Sequence, residues 1–195
     1  MTSGLLASPR TVRWSAWEGG DAGLEHVDLR PEGGTLRVSG VVIGFTDGAA
    51  FGLAYRLLIA EGWRLREAHL STASGLELRL QSDGRGNWHV DGRPEPALQG
   101  CIDIDIQATP FTNTLPIRRL TLETGESATI SVVYVNVPSL GIERLTQRYT
   151  ALQSRSLYRF EGLDTGFQAD LPLDADGLVL DYPDLFRRMP GADHA

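Results

Sequence analysis

Residues 99–120 read Gln99-Gly-Cys-Ile-Asp-Ile-Asp-Ile-Gln-Ala-Thr-Pro-Phe-Thr-Asn-Thr-Leu-Pro-Ile-Arg-Arg-Leu120. The first half alternates strictly, with Ile102, Ile104 and Ile106 on one side of an extended chain. Cys101, Asp103, Asp105 and Gln107 fall on the other side, the period of two that marks a β-strand. The strand ends at Pro110, and a Phe111-Thr-Asn-Thr-Leu115 elbow runs on to Pro116. This strand places two carboxylates on one face and is followed by a proline-framed polar turn.

The same period governs the rest of the chain. It predicts strands over residues 11–17, 24–30, 34–44, 51–60, 63–71, 75–81, 86–90, 101–107, 117–124, 127–137, 142–150, 154–161, 166–173 and 177–181. Turn chemistry separates them, as in Pro31-Glu-Gly-Gly34, Asp47-Gly48, Asp83-Gly84-Arg-Gly86, Asp91-Gly92 and Pro138-Ser-Leu-Gly141. No amphipathic helix of three turns is found. Short helical turns are expected at 110–114 and at 183–188, where Asp181-Tyr-Pro-Asp184 offers cap chemistry.

Many short strands with regular turns predict an all-β fold. The form expected is a single highly curved antiparallel sheet that makes an unclosed barrel, or β-roll, with few short helices. Strands such as Leu76–Gln81 are apolar on one face only. Val41-Val42-Ile43 and Val132-Val133-Tyr134-Val135 are apolar on both and are expected to lie centrally, covered on both sides. No linker interrupts the chain, so one domain over 1–195 is expected. A weak internal echo, about 11–107 against 117–188, fits either a duplication or ordinary hairpin chemistry.

Composition narrows the function. The net charge is −7, and all 18 basic residues are Arg. This balance argues against nucleic acid as a partner. The absence of Lys removes Schiff-base chemistry and the P-loop lysine. The single Cys101 cannot form an intramolecular disulfide or a Cys-rich zinc site, and it reads as a packed thiol. No signal peptide and no spanning apolar run is found, so a cytoplasmic protein without integral membrane association is expected. No cofactor or metal is called for, and the oligomeric state is open.

Several residues could form a site. Asp103 and Asp105, i and i+2 on a strand, would emerge about 7 Å apart on one face. That spacing suits general acid–base work or a hard metal, and equally a solvated face or salt bridges to Arg118, Arg119 or Arg144. Thr112, Asn113 and Thr114 form either a ligand-recognition loop or a self-satisfied turn. Glu25 and His26 point to opposite faces of one strand and are no dyad. His26, His69 and His89 lie on separate strands. The aromatic residues, Trp14, Tyr55 and Tyr149 among them, belong either to the core or to a carbohydrate or lipid cleft.

Taken together, these motifs resemble the bacterial putative glycolipid-binding family. They are Trp14, Glu25-His26, Gly40-Val-Val-Ile-Gly44, Tyr55-Arg-Leu57 and Gly86-Asn-Trp-His-Val-Asp-Gly92. To these are added Gly100-Cys-Ile-Asp-Ile-Asp105, Thr109-Pro-Phe-Thr-Asn-Thr-Leu-Pro-Ile-Arg118, Gln147-Arg-Tyr-Thr150 and Gly177-Leu-Val-Leu-Asp-Tyr-Pro183. The resemblance implies a curved, partly open β-barrel similar to bacterial lipoprotein carriers of the Lol type, which hold acyl chains inside the curve. It brings no catalytic residues.

The function expected is non-enzymatic binding of a glycolipid or fatty-acyl-like amphiphile in the concave face. The expected ligand-binding residues are Asp103, Asp105, Phe111, Thr112, Asn113, Arg118, Trp14, His26, Tyr55 and Tyr149. Two alternatives stand beside it: a hydrolase-like enzyme on a sugar or lipid substrate using Asp103 and Asp105, and a protein-interaction module, which would need an exposed apolar patch.

Overall fold

The computed structural model describes residues 4–46 and 48–191. It is an all-β, strongly curled half-barrel with one short helix. The first five strands are β1 (Arg10–Ala16), β2 (Gly19–Glu32), β3 (Thr35–Thr46), β4 (Ala49–Ala60) and β5 (Arg64–Thr72). They continue as a meander through β6 (Glu77–Ser82), β7 (Trp88–Val90) and β8 (Arg93–Pro94). The turn between β2 and β3 explains one sharp reversal. Gly33 and Gly34 both take positive φ, at 57° and 80°, which a side chain would oppose.

After β8 the chain crosses to a second ladder. It contains β9 (Asp103–Ile106), β10 (Ser127–Val135), β11 (Ile142–Gln153), β12 (Leu157–Gly162) and β13 (Gln168–Pro172). Finally β14 (Asp181–Tyr182) and β15 (Phe186–Arg188) return to pair beside β1. The hydrogen-bonded ladders are therefore one of ten strands and one of five. All pairs are antiparallel except β9 with β10, which run parallel.

That parallel pair corrects the expectation of a strand at 117–124. Parallel neighbours require a crossover, because the chain must return to the same end of the sheet. The crossover here is a 3-10 turn at Phe111–Asn113 that runs directly into α1 (Thr114–Leu120). Leu-Pro-Ile-Arg-Arg-Leu has a strand-like look, but Pro116 sits in the first helical turn, where a missing N–H costs nothing. Leu115 and Ile117 are buried, and the helix stops at Thr121 in a left-handed conformation. The turn expected at 110–114 is present. The one expected at 183–188 is instead the reversal and strand of the β14–β15 hairpin. At 177–181 the chain makes only a bridge between Leu173 and Val179 before β14 begins.

The inner faces of β2 to β5 carry Val27, Leu29, Leu36, Val38, Leu53, Leu57, Ile59 and Leu65 into one core, which also takes Ile104, Ile106, Val133 and Val135. A second core gathers Tyr149, Tyr158, Phe160, Leu171 and Tyr182. Phe186 packs against both. Val132, Val133 and Val135 are buried as expected. Val41 and Ile43 are not: each is 56 % exposed on the outer face of β3, beside Leu24 and near Phe45. Nothing packs over that face among the described residues, so a two-sided apolar pattern here does not mean a strand covered on both sides.

Candidate functional site

β9 is buried on both faces, and this decides what its carboxylates can do. Asp103 is fully buried and forms a bidentate pair with Arg119 of α1, from Nε to Oδ1 and from the second guanidinium nitrogen to Oδ2. The pair pins the crossover helix to β9. Asp105 faces a different environment. Its Oδ1 accepts from Thr112 Oγ1 at 3.2 Å and its Oδ2 from Gln147 Nε2 at 2.6 Å. Burial pushes its carboxyl up, and the Gln147 and Thr112 hydrogen bonds offset part of that.

Asp105 lies at the floor of the large cleft, whose volume is about 880 Å3 and which opens between the two ladders. Beside it on the floor are Gln107, Thr109, Asn113, Gln147 and Glu25. Asn113 and Gln147 are held by Tyr149, whose hydroxyl donates to Asn113 Oδ1 at 2.9 Å. One wall is aromatic. Phe160, Phe167, Tyr182 and Phe186 line it, with successive ring centroids 6.0–6.3 Å apart. Trp14 and Trp17 of the β1 side, with Phe45 and Phe51, add to the apolar lining, as do Ile43 and Leu145.

Glu25 is the least expected member. It alternates with Val27 and Leu29 on the inward face of β2 and is only 3 % exposed. Tyr55 donates to its Oε1 at 2.7 Å. Space for that contact comes from Gly40, because a Cβ there would stand 2.1 Å from the Tyr55 ring. The other oxygen, Oε2, is buried with no partner. Burial pushes the Glu25 carboxyl up to about 8, against the opposing pull of Thr109, Tyr55 and the Arg188 guanidinium. At neutral pH the group is therefore mostly a neutral acid, able to donate as well as accept.

This raises a testable pH dependence. The unfolded chain releases the Glu25 proton near 4.5, and the folded chain holds it to about 8. Between those values the native state binds the extra proton, so this group lowers stability as pH rises, by roughly 1.4 kcal/mol per unit. Its contribution is most favourable below 4.5 and is fully lost above about 8. Glu25→Gln keeps an acceptor for Tyr55 and has no proton to lose. The melting temperature of the variant relative to wild type is expected to be higher at pH 8.5 than at pH 5. Parallel pH profiles for the two proteins would contradict the assignment.

The cleft lining is one-sided in charge. Glu18, Glu25, Asp105, Glu143, Asp164 and Asp184 line it, and no Arg does among the described residues. Arg187 and Arg188 stack on Trp17 and Trp14, with guanidinium carbons 4.2 and 4.5 Å from the ring centroids.

Of the residues expected from sequence, the structure brings Trp14, Asp105 and Asn113 to the cleft surface. Tyr55, Thr112 and Tyr149 stand behind it and hold Glu25, Asp105 and Asn113 in place. Phe111 is fully buried in the core. The remaining three do not line the cleft. Asp103 is closed off by Arg119. Arg118 binds the backbone carbonyls of Asp176 and Gly4 and lies 5.0 Å over Trp63. His26 is half-exposed on the opposite side of β2 from Glu25, 3.5 Å from Asp28. Glu25 is read from sequence only as a neighbour of His26 that forms no dyad with it, and Gln147, Phe160, Phe167 and Phe186 carry no site reading; the inward phase of Glu25 with Val27 and Leu29 is the signal for it.

Among the described residues, no group of three or more His, Cys, Asp or Glu side chains is placed to hold a metal ion. No helix among them is long and apolar enough to cross a membrane.

Fold and cleft together define a curled all-β half-barrel with one large concave site. The family model described as "Putative glycolipid-binding" matches residues 11–188, and the chain belongs to that family. The protein is also similar to the crystal structure of a DUF1089 family protein from Pseudomonas aeruginosa. The two share 41 % sequence identity with a TM-score of 0.74, over 85 % of this chain and 92 % of that one. Among curated proteins none matches.

Proposed function

We propose that the cleft binds an amphiphile without chemical turnover, seating a hydroxyl-bearing head on the polar floor and an apolar chain along the aromatic wall. The observation that carries this reading is the pairing of Phe160, Phe167, Tyr182 and Phe186 with the buried Glu25 and the half-buried Asp105 in one cleft of about 880 Å3. That size lies within the range of small-molecule sites, and apolar walls with a few convergent polar groups are their usual chemistry. Aromatic faces serve both sugar rings and alkyl chains. The family description supports a glycolipid as the occupant.

The hydrolase alternative needs Asp103 and Asp105 in one site. Asp103 is spent on Arg119 and does not line the cleft, so that pair is divided. A wild-type protein inert on alkyl glycosides is therefore the expected outcome of a turnover assay.

The test of binding is thermal. A ligand selective for the folded state at a hundred times its Kd stabilises by about 2.7 kcal/mol. For a chain of this size that is a rise in Tm of roughly 5–10 °C. Dodecyl maltoside, kept below its micelle-forming concentration, is expected to produce a saturable rise. No shift with alkyl glycosides of any chain length would overturn the reading.

A further inference from the structure

We propose that the cleft selects its ligand by head-group charge: it takes amphiphiles with an uncharged, hydroxyl-bearing head, turns away anionic ones of the same chain length, and reads the hydroxyl through Glu25 Oε2. The inference rests on the amphiphile reading above and adds which class of amphiphile is bound.

Two independent observations carry it. The first is the distribution of charge. The chain has 18 Arg, yet none lines the cleft among the described residues, while six carboxyl groups do. Low-dielectric walls focus the field of such a one-signed lining onto whatever enters. A head group seated on the floor meets the Asp105 carboxyl, with Glu25 beside it mostly protonated at neutral pH and adding little charge; one left at the mouth meets Glu143, Asp164 and Asp184 instead. An anionic head is thus opposed in either orientation.

The second observation is the orphaned oxygen. Glu25 is 3 % exposed and lines the cleft; Tyr55 occupies Oε1 and the Thr109 hydroxyl also acts on the carboxyl, yet no hydrogen bond of normal geometry reaches Oε2. Buried polar atoms are nearly always paired, and an exception points to a missing group. A hydroxyl fits because it both donates and accepts, and so pairs with the acid in either protonation state. A carboxylate or sulfate oxygen accepts only, so it pairs with the protonated acid alone and loses that bond once Glu25 ionises. Asp105 supports the same choice, since its oxygens already receive Thr112 and Gln147 and can take further donors but offer none when ionised.

The experiment is calorimetric titration of the purified chain with dodecyl maltoside and with dodecanoate, both below micelle-forming concentrations, at low salt and at about 0.5 M salt. Maltoside is expected to bind on the order of tenfold or more tighter at low salt. The ratio is expected to shrink at high salt, because screening acts on charge and not on shape. Glu143→Gln, Asp164→Asn and Asp184→Asn combined are expected to raise dodecanoate affinity relative to maltoside. Glu25→Leu is expected to weaken maltoside about tenfold while the protein stays folded by circular dichroism. If that variant does not fold, the Glu143, Asp164 and Asp184 triple variant at the exposed end of the cleft serves as the check by itself: an unchanged dodecanoate-to-maltoside ratio overturns the charge filter. Equal affinities for the two ligands, or a ratio indifferent to salt, would overturn the charge filter and leave amphiphile binding standing. Failure of both ligands to bind would overturn the amphiphile reading and this inference with it.

Discussion

Arg119→Met is expected to destabilise the protein by about 3–5 kcal/mol, as removing one partner of a buried ion pair does. Asp103 has no exposed surface, and Arg119 supplies both of its hydrogen bonds from α1. Without the guanidinium the carboxyl must stay charged and unpaired or take up a proton, and each route costs free energy. The loss is not simply the worth of the pair. Asp103→Leu combined with Arg119→Met removes both charges, and it is expected to recover most of the stability of the single variant. Urea denaturation of wild type, both single variants and the double variant checks this. A loss below about 1 kcal/mol for Arg119→Met would show that the pair does not hold the crossover helix against β9.

Ile104→Asp is expected to be as severe. Ile104 is 1 % exposed, pairs with Val133 in the parallel ladder and sits in the larger core. The change removes a large apolar side chain and buries a carboxyl with no counter-ion, each worth several kcal/mol. With the stability of an ordinary domain at about 5–15 kcal/mol, much or all of the folded population is lost. Ile104→Val, which only trims the side chain, is expected to cost about 0.5–1.5 kcal/mol. The contrast, read by thermal melts, separates burial of charge from loss of packing. An unchanged Tm for Ile104→Asp would contradict the placement of β9.

These two residues also show how far the sequence could be read. The alternation of Ile104 with Asp103 located the strand and its buried side correctly. It could not show that the opposite side was also covered, because that cover comes from Arg119 on a helix sixteen residues later. The helix was hidden by a six-residue stretch too short for period 3.6 to declare itself against period 2. Hairpins were legible where turn residues force the reversal, as at Gly33-Gly34. The parallel pairing of β9 with β10 has no local signature, since either direction satisfies the same alternation. Val41 and Ile43 misled for a related reason: apolarity says what a face could bury, not that anything arrives to bury it.

The site was legible in part. Asp105, Trp14 and Asn113 reached the cleft, and their supports Tyr55, Thr112 and Tyr149 stand one layer behind. Glu25 is weighed in the sequence only as a dyad partner of His26 and set aside, although it occupies a position where its own strand calls for an apolar residue. An acid in an inward phase, diagonal to a Gly-Tyr cross-strand pair such as Gly40 and Tyr55, is the pattern that exposes it. The aromatic wall is assembled from β12, the turn after it and the β14–β15 hairpin. The chain returns these to β1 only through long-range contacts.

The central claim is that the cleft between the two ladders is where an amphiphile sits. The most direct measurement is a set of intermolecular nuclear Overhauser effects between dodecyl maltoside, below its micelle-forming concentration, and the isotope-labelled protein. Contacts from the alkyl chain to the rings of Phe160, Phe167, Tyr182 and Phe186, with sugar protons near Asn113 and Gln147, are the predicted result. Contacts confined to the outer face of the sheet away from the cleft, at Val41 and its cross-strand neighbour His26, would contradict it.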